Sequence, residues 1–428
     1  MDESTTFVGM DVHKKQHKIA MLLPGSDEPA EWTVNNEPDA IRRMVRRAKK
    51  LAPGPVEFSY EAGVCGFALQ RLIEAQGVEC VVIAPSLMPI QPGRRVHTDR
   101  RDAHKLAKLH RGGLLTPVRV PSELEESVRD LCRAREAARG DRTRARHRLT
   151  KLLLRRGLVF HEGGHWTEKH MRWLRGLKFA LPADQQIFDE YLGEIDHQDQ
   201  RLRHLDGLLK EAASAEPYGR LVGWLRCFRG IDTVTALSVL TELHGIESGR
   251  FAHPRKLMAF LGLTPSEDSS GERVRRGGIT KAGNRHVRRL LVEASWSQRG
   301  VPRVSKALQA RRRGQPAWVI RLADKAMRRL HRRYWRLVNA GKLPVKATVA
   351  VAREFSAFLW SLLYLQDKSV LAERPPRPTA RQKAKSKNRS KTPAQAPAES
   401  PPRQSARAFF ATASTAAAAE CEDGVRTS

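Results

Sequence analysis

The chain has 428 residues, with 77 Lys and Arg against 46 Asp and Glu, a formal charge of +31. Self-repulsion on that scale works against a compact state, so the charge implies a polyanionic partner: nucleic acid first, an anionic membrane surface second. No apolar run reaches the ~18 residues of a membrane-spanning helix, and no secretory signal opens the chain. The five cysteines are scattered without a Cys-x-x-Cys pair, which argues against a disulfide framework or a cysteine zinc site and for a reducing cytoplasm.

A chain of this length predicts two or three domains. TTFVGMDV and KIAMLLPG read as two strands joined by the polar turn HKKQH, with AEWTVNN as a third. EPDAIRRMVRRAKKLA, acidic in its first turn and basic in its last, reads as a helix that complements its own dipole. GPVEFSYEA is a fourth strand, VCGFALQRLIEAQG a helix closed by glycine, VECVVIAPS a fifth strand and TDRRDAHKLAKLHRGG a further helix. Such a mixed sheet with helices on its faces predicts an RNase H-like α/β domain over residues 1–122.

From Glu123 the pattern turns helical and strongly charged. Phe188, Ile195, Leu202 and Leu209 recur every seven residues, with Tyr191, Gln198, Leu205 and Ala212 at the complementary positions. That seam predicts a coiled coil or a long helical hairpin over 123–218, or else a surface helix packed on its own domain. FRGIDTVTALSVLTELHG then opens a mainly helical third region, 219–366, with a glycine turn leading into a helix, a shape that can hold a phosphate through main-chain amides. Residues 367–428, rich in Pro, Ala, Ser and Lys, predict a disordered basic tail. The fold class is thus α/β followed by all-α.

Four carboxylates have the placement for chemistry. Asp11 ends the first strand, Glu61 ends the fourth, and Asp99 and Asp102 sit three apart on one helix face. In the predicted topology these ends are neighbours, and the helix can pack beside them. Converging acids repel unless cations neutralise them, and hard oxygen donors favour Mg²⁺, with two ions possible. Each acid taken singly also reads as solvated surface. His161 and His165, in HEGGH, match a zinc-protease pattern, but Gly163 and Gly164 disfavour the helix that pattern needs. His13 and His17 flank the first turn and read as solvated polar residues.

The stretch GLTPSEDSSGERVRRGGITKAGNRHVRR sets Ser269, Ser270 and Gly271 ahead of a basic run that includes Arg273, Arg275, Arg276, Lys281, Arg285 and Arg288. Two readings fit it. One is a Ser-Gly turn whose basic face positions phosphates. The other is a nucleophile among arginines that bind the non-bridging oxygens of a phosphodiester, with Gly271 leaving room for a DNA backbone.

GMDVHKK, YEAG, TDRRDAHKLA and the serine stretch, in this order, resemble the insertion-sequence-110 family of bacterial transposases over roughly residues 5–365. The resemblance implies a RuvC-like domain whose carboxylate set matches Asp11, Glu61, Asp99 and Asp102. It also implies a C-terminal transposase domain whose serine, here Ser270 with Ser269 as the fallback, attacks DNA to form a phosphoserine link. Further implications are recombination of element ends with target DNA, guidance by a structured non-coding bridge RNA, and a dimer to tetramer with active sites shared between subunits. Its setting would be the bacterial cytoplasm, at the nucleoid. The basic tail departs from the shorter members of the family.

Overall fold

The computed structural model describes residues 4–89, 98–243, 246, 249–271 and 273–364. The expected basic tail lies outside the described residues. The chain begins with β1 (Thr6–Val12), β2 (Gln16–Leu22) and β3 (Ala30–Asn35), then α1 (Pro38–Leu51), β4 (Val56–Glu61), α2 (Ala68–Glu74), β5 (Glu79–Ile83) and α3 (Asp99–Arg111). The five strands form one sheet in the order β3-β2-β1-β4-β5. β1 pairs antiparallel with β2 and parallel with β4, so the sheet is mixed as expected. The turn between β1 and β2 is shorter than its polar composition suggests, because Gln16 and His17 already belong to β2.

Alternation along β1 sends its side chains to two faces. Val8 and Met10 join a core with Ile41, Met44 and Val45 of α1 and Leu69 and Ile73 of α2. The opposite face of β1 carries Gly9, against which α3 lies. A Cβ at Gly9 would come within 2.2 Å of the Ala103 carbonyl oxygen and 2.4 Å of the Ala107 nitrogen. The glycine therefore permits a helix-to-strand approach that no other residue allows. Ion pairs of Arg100 with Glu31 and Arg111 with Asp27 fasten both ends of α3 to the β2–β3 region.

Two 33-residue helices follow, α4 (Glu123–Arg155) and α6 (Pro182–Ser214), separated by α5 (Glu168–Gly176). They form an antiparallel hairpin. Leu149 and Leu152 pack with Phe188 and Ile195, Ala138 packs with Leu202 and Leu205, and Cys132 shares a core with Leu209. Of the eight seam residues Phe188, Ile195, Gln198, Leu202, Leu205 and Leu209 are buried, and Tyr191 and Ala212 are partly so. Ion pairs run along it in the same sense, Arg156–Asp184, Arg142–Asp199 and Arg135–Asp206. The capping box of Ser122 and Glu125 starts α4.

The remainder is mostly helical: α7 (Gly219–Leu225), α8 (Thr233–Glu242), α9 (Pro254–Phe260), α10 (Arg285–Trp296), α11 (Lys306–Arg312), α12 (Ala317–Asn339) and α13 (Pro344–Tyr364). α13 is apolar on most of its circumference and lies at the centre of their common core. One two-stranded hairpin, β6 (Pro265–Glu267) with β7 (Arg276–Ile279), interrupts the helices. Among the described residues no helix is long and apolar enough to cross a membrane.

Candidate active site

The sheet brings the four predicted carboxylates together. Asp11 and Glu61 stand at the same edge because β1 and β4 run parallel and adjacent. The close seating of α3 on Gly9 delivers Asp99 and Asp102, both in its first turn, to that edge. Thr98 caps the helix by accepting from the Arg101 backbone N–H at 3.3 Å. The acids feel one another. Burial raises the Asp11 carboxyl above its ordinary range, His13 pulls it down, and the charges of Asp99 and Asp102 push it up again. Burial likewise raises Glu61, helped by Asp102 and Asp11 and opposed by Lys105.

His13 stays exposed, as its reading as a solvated turn residue has it, but it also reaches this cluster. Its Nε2 lies 3.0 Å from Asp11 Oδ2 and 3.6 Å from Asp99 Oδ2. Asp11, His13 and Asp99 thus offer one ligand atom each within 4.8 Å of one another. The tight β1–β2 turn folds the imidazole back over the strand end, which spacing alone did not show. The reading of His17 as solvated is corrected: it is fully buried and its Nε2 meets Asn36 Oδ1 at 3.2 Å. The trio of Asp11, His13 and Asp99, partly open to solvent and with Glu61 and Asp102 near enough to act on it or on each other electrostatically, fits a hard divalent cation by donor type.

The serine stretch forms the β6–β7 hairpin. Ser270 and Arg273 pair through their backbones, N to O at 3.2 and 3.1 Å, across a turn in which Gly271 takes φ +55°. The left-handed φ makes glycine the natural residue there. The two serines differ. Ser269 donates to Glu267 Oε1 at 3.2 Å and accepts from the Arg275 backbone N–H at 3.2 Å, so its hydroxyl holds the hairpin together. Ser270 is exposed at the tip, and among the described residues no group hydrogen-bonds its hydroxyl.

Arg273, Arg275, Arg276, Lys281 and Arg285 are all exposed around the hairpin. Arg276 also meets Glu267 at 3.3 Å. Lys281 holds φ +57°, a strained conformation for a lysine. Arg288 is partly committed to structure, since its Nη1 donates to the carbonyls of Leu261 and Ala282, both at 2.8 Å. Where the hairpin leads into α10, Asn284 caps the helix with its Oδ1 and donates from Nδ2 to Glu242 at 2.7 Å. Arg133 of α4 binds the same buried carboxylate at 2.8 Å. Burial would raise Glu242, but the bonds from Arg133 and Asn284 bring it below the ordinary glutamate value. The residues that anchor the hairpin are therefore spread over three distant segments, and no local motif announces them. Among the described residues no hydrogen bond or ion pair joins the hairpin to the carboxylate cluster.

Comparison with known proteins matches both regions. A family model described as a transposase, of the DEDD type, covers residues 8–156, and the model of the IS116/IS110/IS902 transposase family covers 224–309. The chain is 39% identical over 365 residues to a protein of Sinorhizobium fredii named as transposase y4qE, spanning 84% of this chain and 89% of the relative. The chain belongs to the IS110/IS116 family of transposases.

It is also 36% identical over 334 residues to the transposase of insertion sequence element IS1533 from Leptospira borgpetersenii, covering 77% of this chain and 95% of that one. A more distant relative is the transposase of IS1111A from Coxiella burnetii, 23% identical over 300 residues. DNA is thus the polyanion that the charge called for. The first matched region of this transposase contains all four carboxylates and the second contains the hairpin. Two other sequence features take no part. HEGGH falls in a loop with both histidines exposed, as its glycines indicated. The start of α8, read as a phosphate cradle, is closed by Asp232, whose carboxylate accepts from the Thr235 N–H at 2.7 Å and sets a negative charge where an anion would sit.

Proposed function

We propose that this transposase cuts and rejoins DNA with a carboxylate site and a serine nucleophile. Asp11, Glu61, Asp99 and Asp102 would hold Mg²⁺ on a domain of RNase H/RuvC-like fold, a reading supported by the strand order β3-β2-β1-β4-β5. The observation that carries the proposal is the convergence of four acids from three separate elements, where burial first and the neighbouring acids second raise Asp11 and Glu61. Half-buried carboxyls raised in this way by burial and by one another are candidates for a functional site. When bound there, the cation supplies positive charge to the scissile phosphate.

Ser270 is the nucleophile in this reading, supported by its free hydroxyl at the hairpin tip, whereas Ser269 is tied into the hairpin. Its Oγ–P bond forms as one P–O ester bond of the DNA breaks, and the hydroxyl proton leaves with the departing deoxyribose oxygen. Arg273, Arg275, Arg276 and Lys281 bind the non-bridging oxygens, and Arg285 and Arg288 hold the flanking backbone. The partners are element ends, target DNA and a structured non-coding RNA. The active assembly is a homo-oligomer, dimer to tetramer, in which one subunit's carboxylates meet another's serine. The rival reading is a metal-dependent endonuclease in which Ser270 is only a turn residue.

Denaturing electrophoresis of the protein after reaction with labelled element-end DNA separates the two. A DNA-linked band with wild type and Ser269→Ala, absent with Ser270→Ala, is the expected result. Hydrolysed ends with no adduct, or recombination unchanged in Ser270→Ala, would overturn the serine role.

A further inference from the structure

Away from both sites, α12 presents a second cationic surface. Arg321, Lys325, Arg328, Arg332 and Arg336 recur every three or four residues, and all five are exposed. At 3.6 residues per turn they fall within about 80° of arc and extend for about 22 Å. The opposite side of the helix, with Val319, Ala323, Leu330 and Leu337, is buried in the C-terminal core. Stacked like charges at such spacings destabilise a helix, and here little local charge relieves them. Asp324, the one carboxylate on α12, is taken by the buried Arg312 at 2.7 Å. Glu354 of α13 pairs with Arg329 and Arg333. Among the described residues none of the five has an acidic partner.

The row has both shape and an aromatic neighbour. Arg329, Arg332, Arg333, Arg336 and Glu354 line a shallow cleft of roughly 330 Å³. Beside it Trp335 keeps 43% of its surface exposed while its indole N–H donates to the Arg299 carbonyl at 2.9 Å, which fixes the ring. A duplex carries one charge per ~1.7 Å of axis, both strands counted, so a ~22 Å row of cations lies against a densely charged backbone.

We propose that this face of α12 is a second nucleic-acid site, separate from the serine hairpin, that binds the phosphodiester backbone of a DNA duplex. The ligand chemistry is set by guanidinium groups, which engage phosphate oxygens as planar forks. RNA duplexes share that chemistry, but the transposase family of this chain makes DNA the occupant. The site serves to hold one duplex while the hairpin addresses another, and it acts on binding rather than on the reacting atoms.

The test measures equilibrium binding of the full chain to a fluorescent DNA duplex and a fluorescent RNA hairpin of mixed sequence, across a series of salt concentrations. The test variant changes Arg321, Lys325, Arg328, Arg332 and Arg336 together to Gln. A control variant changes five exposed cations of α1 (Arg42, Arg43, Arg46, Lys49 and Lys50) to Gln, and circular dichroism checks the fold of both. With ~0.9 in slope lost per phosphate contact, the α12 variant should lower the salt dependence of log K for duplex DNA by about 4. A loss confined to the RNA probe would overturn the assignment to DNA. An unchanged slope on both probes, or a loss no larger than that of the α1 control, would overturn the proposal. Because binding is read without strand cutting, the result is independent of whether Ser270 is the nucleophile.

Discussion

The carboxylate edge and the serine hairpin are built on opposite physical plans. Asp11 and Glu61 leave strands whose neighbouring side chains are fully buried, and α3 is held on Gly9 at a distance only glycine permits. Repulsion among the acids is therefore built in before any ligand arrives. The hairpin has exposed strands, a glycine turn and no core of its own, and its anchor is at its base, through Asn284, Glu242 and Arg133. A rigid, strained charge cluster and an exposed tip suit different tasks. In the proposed function the first sets the electrostatics and the second engages the DNA.

The strongest way to break this comparison is to inactivate each half separately. Asp11→Asn and Ser270→Ala should each lower recombination by at least about 10³-fold, as loss of a group acting on the transition state does. Mixing the two inactive proteins should restore a measurable fraction if sites are shared between subunits. No recovery on mixing would place both halves in one chain.

A smaller effect is expected at Gly9. Gly9→Ala should destabilise the protein by about 1–3 kcal/mol, the usual cost of overpacking, measured by denaturant unfolding. It should weaken cation-dependent cleavage while leaving DNA binding near wild type. If stability is unchanged, α3 does not depend on that close approach.

The smallest effect concerns pH. The folded-state values of Asp11 and Glu61 are raised, so their ionisation costs stability above those values and the cost disappears below them. Without divalent cation, Asp11→Asn should raise Tm at neutral pH, on the order of 1–3 °C, since the group is partly solvated. The gain should fade as pH falls through the raised carboxyl value. Added Mg²⁺ should stabilise wild type more than the variant. An Asp11→Asn protein melting below wild type at neutral pH in chelator would show that the repulsion is not there.

Much of the sheet domain was legible because its signals are local. Alternating apolar runs, polar turns and charged helix ends marked the five strands, and strand ends marked Asp11 and Glu61. The approach of His13 to Asp99 was not legible because it depends on α3, 86 positions along the chain, folding back beside β1. Glu242 and Arg133 are 109 residues apart, and periodicity carries no information about such a pair. Resemblance alone put Ser270 ahead of Ser269, with the doublet leaving the alignment one residue loose. The hairpin register distinguishes their hydroxyls, turning that of Ser269 toward Glu267 and leaving that of Ser270 at the tip.

The α4–α6 hairpin sets a rule for how this chain can change length. Its ion pairs link positions that descend along α4 as they ascend along α6, so each pair fixes the register of both helices. An insertion in one helix alone would swing its apolar seam by about 100° per residue and uncouple every pair beyond it. Seven residues added to both helices would preserve faces and partners and lengthen the rod by ~10 Å. Related chains should therefore differ here in matched, heptad-sized steps, with single-residue gaps confined to the α4–α5 and α5–α6 loops.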